Sequence, residues 1–234
     1  MIFADAHIHL ADMGVFSGYP DLEEAGLLFS CSAQSKDWDL QNMNLDPRTV
    51  PFYGIHPWYA EQWNQSTKNR LRRILSEDTG AQVGEIGLDN RHAGMEKQVL
   101  AFTEQILIAS EMKRTVNIHN IGCDGDIVKI LKRYGKNCRG IILHSFRNPN
   151  TDAFAGLNCW FGINPRILEK SEEHVSDIIS HIPRDRILLE TDAPFTSKNF
   201  TSMEDFIGRL AGITGTEPEE LACRTLENAR RALQ

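Results

Sequence analysis

The chain has no CxxC pair, no internal repeat, no low-complexity stretch and no apolar run that approaches membrane-spanning length. The last absence argues against a transmembrane helix, which needs about 20 apolar residues. Its five cysteines, Cys31, Cys123, Cys138, Cys159 and Cys223, are scattered and odd in number. Buried or idle thiols in a reducing compartment fit them better than a disulfide framework, and none is assigned a metal role. The opening residues Met1 to Asp5 turn acidic too soon for a secretion signal, so the cytoplasm is the expected location, with no membrane partner. Basic charge is also short: 25 Lys and Arg stand against 32 Asp and Glu, a net charge of −7. Phosphate-binding surfaces usually carry the opposite sign. The clusters Arg70-Leu71-Arg72-Arg73 and Lys132-Arg133 fall in helix-like segments and read as solvated faces.

What is present is a recurring pattern. Eight short apolar runs, beginning at Ile2, Gly26, Val50, Gln82, Thr115, Gly140, Asn158 and Arg186, are bounded by turn residues and mostly apolar on both faces. That suits buried parallel strands better than solvated antiparallel ones. A helix-like stretch follows each run, with room for a crossover. Ser66 is a candidate cap for a helix through Leu75 and Ser171 for one running towards Ile182, while Glu96 to Met112 repeats apolar residues at helical spacing. Thr216 with Glu219 has the form of a capping box before the last helix. No linker is evident, so residues 1–234 are expected to form one α/β domain, a (β/α)8 TIM barrel.

In such a barrel, chemistry sits at the C-terminal strand ends. Five of those ends carry six candidate residues: His7 and His9, Glu85, His119, His144 and Asp192. His7 and His9 are two apart on one strand and can face one ion together, with Asp5 behind them to orient an imidazole. Taken alone, the pair also reads as two hydrogen-bonded histidines. A carboxylate on an interior strand is costly to bury unless something positive meets it, either metal or an arginine. Two oxygens would let Glu85 bridge two ions, with His7, His9 and Asp192 on the first and His119 and His144 on the second. Asp192 could also accept the proton of an activated water, or merely cap the following helix. Two divalent ions would bring about four positive charges to the site, so the acidic net charge does not exclude an anionic substrate.

Six stretches taken together resemble the TatD family of metal-dependent deoxyribonucleases, within the amidohydrolase-like barrels. They are Asp5-Ala6-His7-Ile8-His9, Gly54-Ile55-His56-Pro57-Trp58, Val83-Gly84-Glu85-Ile86-Gly87-Leu88-Asp89, Ile118-His119, Leu143-His144-Ser145-Phe146 and Leu188-Leu189-Glu190-Thr191-Asp192-Ala193-Pro194. The resemblance spans the chain from first strand to last. It implies hydrolysis of phosphodiester bonds in DNA, typically exonucleolytic, with two divalent ions of magnesium, manganese or zinc. It also implies that the family's six metal ligands fall on His7, His9, Glu85, His119, His144 and Asp192. His56 matches a family histidine that faces the substrate, where it would hold a phosphate oxygen or assist leaving-group protonation; the alternative is that it braces its loop.

The departures from the family pattern concern substrate. Where the family usually has an arginine two residues after the fifth-strand histidine, this chain reads His119-Asn120-Ile121. Arg147 follows His144-Ser145-Phe146 and is a candidate replacement, the alternative being an exposed arginine without a role. Asn90-Arg91-His92 stands where an aromatic residue is frequent, and the loop after Pro194 is short. Arg166 and Lys198 are further candidates for phosphate. Metal ligands alone do not distinguish a nuclease from an ester or amide hydrolase, such as an aminoacyl-tRNA deacylase. A third reading is a subunit whose shortened loops are completed by a protein partner.

Overall fold

The computed structural model describes residues 1–12, 22–43 and 46–234. Eight parallel strands form one sheet in sequence order: β1 (Phe3–Ile8), β2 (Ala25–Cys31), β3 (Thr49–Tyr53), β4 (Gln82–Asp89), β5 (Val116–Ile121), β6 (Ile141–Leu143), β7 (Cys159–Ile163) and β8 (Ile187–Leu189). The sheet curls until β1 meets the segment after β8. There Asp192 N donates to His7 O at 2.9 Å and His9 N to Ala193 O at 2.8 Å. The closing contacts therefore set His7, His9 and Asp192 side by side.

β1, β4, β6, β7 and β8 are buried throughout, as the two-sided apolar pattern requires. Phe29, Phe52, Ile142, Trp160 and Leu188 belong to one buried cluster, which Leu226 and Ala229 of the C-terminal helix join. Below it, Arg186 and Arg231 flank the Trp160 ring at 4.5 and 5.6 Å. A larger apolar layer joins the outward strand faces to the helices.

The helices are α1 (Asp37–Met43), α2 (Gln65–Glu77), α3 (Met95–Glu111), α4 (Asp124–Tyr134), α5 (Glu172–Ser180), α6 (Met203–Thr214) and α7 (Pro218–Arg231). Three expectations need correction. α2 is capped by Asn64, which accepts from Ser66 N and Thr67 N, so Ser66 already lies inside the helix. α7 starts with Pro218 in its first turn behind Glu217 and makes no side-chain cap; the fixed φ of proline is pre-set for a first helical position, and its missing N–H leaves one orphan donor fewer. Thr216 instead belongs to the end of α6, its N–H donating to Ala211 O. The crossover from β6 to β7 contains only a 3₁₀ turn, Thr151–Phe154, in a stretch interrupted by Pro149 and Gly156. Ser171 does cap α5, by accepting from His174 N. The basic clusters lie on the outer helices α2 and α4, where Arg70 and Arg72 pair with Asp39 and Glu111.

Candidate active site

At the C-terminal mouth of the barrel the backbone itself is unusual. Of the three non-glycine residues with positive φ among the described residues, Ser145 (51°) and Asp192 (60°) follow β6 and β8 there. Such conformations are sparsely populated and gather at functional sites. Gly87 is required by close approach: a Cβ there would lie 1.9 Å from His119 O, so a larger residue would push β5 and its histidine away.

The six residues singled out from the sequence converge here. His7 Nε2 and His9 Nε2 are 3.1 Å apart. Glu85 Oε2 lies 3.6 and 3.4 Å from them, and Asp192 Oδ1 3.8 and 3.6 Å. On the other Glu85 oxygen, His119 Nδ1 sits at 3.0 Å. His144 enters differently from the sequence expectation: its ring stacks on His7 at 3.7 Å, and its Nε2 approaches Asp192 Oδ2 at 3.8 Å. The groups facing Glu85 are imidazoles, not an arginine. The cap of α6 is Ser202, so Asp192 does not serve that purpose.

The far side of each ring fixes which nitrogen carries hydrogen. Asn117 donates through Nδ2 to Ala6 O, which orients its amide, so Oδ1 accepts from His7 Nδ1 at 2.9 Å. Asp89 Oδ2 lies 3.2 Å from His119 Nε2, and Glu190 Oε1 lies 2.7 Å from His144 Nδ1. A neutral imidazole whose far N–H faces such an acceptor turns its lone pair inward. Three such lone pairs face carboxylate oxygens across 3.0 to 3.8 Å, an acceptor-on-acceptor arrangement that repels unless a cation lies between. The separations bracket the spacing an ion would set: donors at 2.0 to 2.2 Å around a tetrahedral ion are about 3.3 to 3.6 Å apart. Asp5, expected behind an imidazole, accepts instead from the N–H of His7 and from Thr191 N and Oγ1. For His7 the orienting residue is Asn117, which sequence reasoning missed because strand 5 gave no spacing signal towards strand 1.

His56 has the reverse polarity. Its Nδ1 accepts from Trp58 N at 3.2 Å, which braces the loop, so Nε2–H points at Glu85 Oε1, 3.6 Å away. Burial, opposed by Glu85 and assisted by the other imidazoles, pushes His56 down to about 3. It is a neutral donor. Burial drives Glu85 up, but His56, His7 and His119 outweigh it and hold the carboxyl well below the usual range. Asp192 is likewise lowered, with His144, His9 and His7 overcoming burial. In return His9 rises to about 9, because Asp192 and Glu85 outweigh the burial that disfavours its charge. Without ions, protons take their place.

Above the cluster opens a cavity of about 300 Å³. Arg147 and Arg166 line it, as expected, and so does Arg91, which sequence reasoning noted only as a departure. Lys198 does not line it. Trp58 (47% exposed) and Phe195 (52%) stand at its rim.

A nearly closed parallel barrel with imidazoles and carboxylates gathered at its C-terminal mouth is the architecture of a metal-dependent hydrolase. Over residues 4–234 the sequence matches the model of the family described as TatD related DNase, and the chain belongs to that family. It is 30% identical over 195 residues to a 3'-5' ssDNA/RNA exonuclease TatD of Erwinia tasmaniensis, covering 76% of this chain and 75% of the relative. A metal-dependent hydrolase of Bacillus subtilis is 27% identical over 190 residues, covering 76% and 74%. Among solved structures, the TatD homologue YJJV of Escherichia coli superposes with a TM-score of 0.83 at 23% identity, covering 99% of this chain and 97% of that one. A TatD family hydrolase of Entamoeba histolytica gives 0.83 at 16% identity, with the same coverage. Family membership and the clustered ligands together support divalent-metal use. No helix among the described residues is long and apolar enough to cross a membrane.

Proposed function

We propose that this chain is a two-metal nuclease that removes nucleotides from the ends of single-stranded DNA or RNA by hydrolysing phosphodiester bonds. The observation that carries the reading is the inward set of imidazole nitrogens held 3.0 to 3.8 Å from two ionised carboxylates, an arrangement that needs a cation, proton or metal, between each pair. His7, His9, Glu85 and Asp192 would hold one ion and Glu85 and His119 the other, with His144, whose Nε2 lies beside Asp192, completing the set; the ions would be magnesium, manganese or zinc. When bound, they would acidify a water and polarise the phosphoryl group.

The chain's own groups do the rest. Asp192 stays ionised across the neutral range and reaches the cavity, where it accepts the proton of the attacking water. His56 offers Nε2–H to a phosphate oxygen as a neutral donor; with its basicity so reduced, it does not store a proton for the leaving group. Arg147 and Arg166 take the phosphate charge at the rim. The terminal specificity and the nucleic-acid class come from the exonuclease relatives, and the two exposed rim aromatics support unpaired bases through stacking. The five unpaired cysteines accord with a cytoplasmic location.

The test is a metal-supplemented activity screen over single-stranded DNA, duplex DNA, RNA, aminoacyl-tRNA and simple esters and amides. We expect release of mononucleotides from single strands, abolished by EDTA. Turnover confined to esters, amides or aminoacyl-tRNA would replace the nuclease reading. Activity that appears only with a co-purifying protein would mark the chain as a subunit.

A further inference from the structure

We propose that Arg91, Trp58 and His92 form a nucleotide subsite on the β4 side of the cavity, beyond the metal centre. Arg91 takes the phosphate next to the scissile one, and the Trp58 indole takes the unpaired base attached to it. The inference rests on the nuclease reading and narrows its substrate to strands that keep at least one further phosphate.

Asp89 organises the subsite. Its buried carboxylate accepts from Arg91 Nε and NH2 at 3.0 and 2.9 Å, from Trp58 Nε1 at 2.9 Å, and lies 3.2 Å from His119 Nε2. One anion thus fixes an arginine, an indole and an imidazole of the centre relative to one another. The root of the loop is tied down too, since Asn90 N donates to Ile121 O of β5 at 3.1 Å.

The pairing with Asp89 does not exhaust Arg91. A guanidinium carries five N–H donors; the bonds to Asp89 use Nε and one hydrogen of NH2, which leaves NH1. The side chain is 60% exposed and lines the cavity. A pre-ordered fork of this kind matches phosphate geometry and loses little freedom on binding. Arg147, by contrast, stands on the loop after β6. Arg91 lies on the far side of the His119 ring from Glu85, so it is displaced from the scissile position and suits the neighbouring phosphate.

Trp58 completes the subsite. His92 stacks on its ring at 4.7 Å and 22°, and nearly half of the residue remains exposed. A base stacking there must be unpaired and unstacked, as in single-strand recognition elsewhere.

The experiment measures binding by fluorescence anisotropy, with Mn²⁺-loaded Asp192→Asn protein to suppress turnover. The probes are a fluorescein-labelled thymidine trinucleotide and, as competitor, thymidine 5'-monophosphate. Arg91→Ala should weaken the trinucleotide about tenfold more than the mononucleotide, with Arg91→Lys in between. Trp58→Ala should act in the same direction, and bound manganese should be equal in parent and Arg91→Ala proteins. Equal weakening of both probes would show that Arg91 acts through Asp89 on the centre, and unchanged trinucleotide binding would remove the subsite; either overturns the proposal. If the wild-type enzyme cleaves no oligonucleotide while Arg91-dependent trinucleotide binding persists, the nuclease reading falls and the subsite stands. If no trinucleotide binds at all, both fall.

Discussion

The candidate metal centre and the proposed substrate rim lie within one cavity, yet they are built in opposite ways. In the centre, most side chains stand on a strand or at its end, and at three imidazoles the far nitrogen faces an acceptor from another element: Asn117 for His7, Asp89 for His119, Glu190 for His144. At the rim, Arg91, Arg147 and Arg166 come from the loops after β4, β6 and β7. Arg147 is exposed, and burial of its inner part together with the nearby Arg166 lowers its basicity. The centre tolerates no play because metal bonds are short and directional. The rim is free to diverge, since several loops can present a guanidinium to the same phosphate. Chemistry is therefore held by strands and specificity by loops.

That contrast can be broken first at its strongest point. Asp192→Asn should keep the fold and at least one ion but lower turnover by a factor on the order of 100 or more, as for loss of a general base. Wild-type rates with metal occupancy confirmed would send the proton elsewhere. Asn117→Ala touches no ion or substrate in this account, yet removing the acceptor that fixes the His7 tautomer should cost about ten- to a hundredfold in metal affinity. Calorimetric titration with Mn²⁺ measures it, and unchanged affinity would mean that strand geometry alone sets the ring.

The rim should give smaller losses that depend on substrate. Arg147→Ala is expected to reduce kcat/KM on single-stranded DNA by about tenfold, the lower end for a charge-assisted contact at an exposed position. Hydrolysis of an uncharged ester, if accepted, should fall less. Equal losses would indicate a damaged loop, and no loss on DNA would leave the role to Arg166. Lys198→Ala should change either rate by less than about twofold, because Lys198 lies off the cavity wall.

The smallest effect concerns the metal-free protein. His9 is raised to about 9, so its pairing with Asp192 and Glu85 contributes stability that is fully present below its unfolded value near 6.5 and is lost as pH rises through 9. The melting temperature of EDTA-treated protein should fall by a few degrees between pH 6.5 and 9.5, while metal affinity rises over the same window because the proton competes for the same lone pair. A melting temperature that is flat or rising would oppose the charge state assigned here.

The centre was far more legible in the sequence than the rim, for the same structural reason. A ligand at a strand end is announced by the apolar run before it, so His7, His9, Glu85, His119, His144 and Asp192 could be picked out by position, and the order of strands followed from their spacing. Residues that act across the barrel leave no such trace. Asn117 looks like one polar residue within a strand, and only closure of the sheet brings it to His7. Arg91 and Arg147 are both loop arginines; their sequence neighbours do not tell which wall each one lines. Helix starts failed more locally: Asn64 caps α2 two residues before Ser66, and α7 starts at Pro218 behind Glu217, one residue later than a Thr216 cap requires.

The most direct test of the two-ion centre is anomalous diffraction from crystals of the wild-type protein grown with Mn²⁺. The account predicts two peaks separated by roughly 3.5 to 4 Å and bridged by Glu85, one against His7, His9 and Asp192 and the other against His119 and His144, with His56 Nε2 bound to neither. No peak within this cluster, or a single ion ligated by His56 in place of His144, would contradict it.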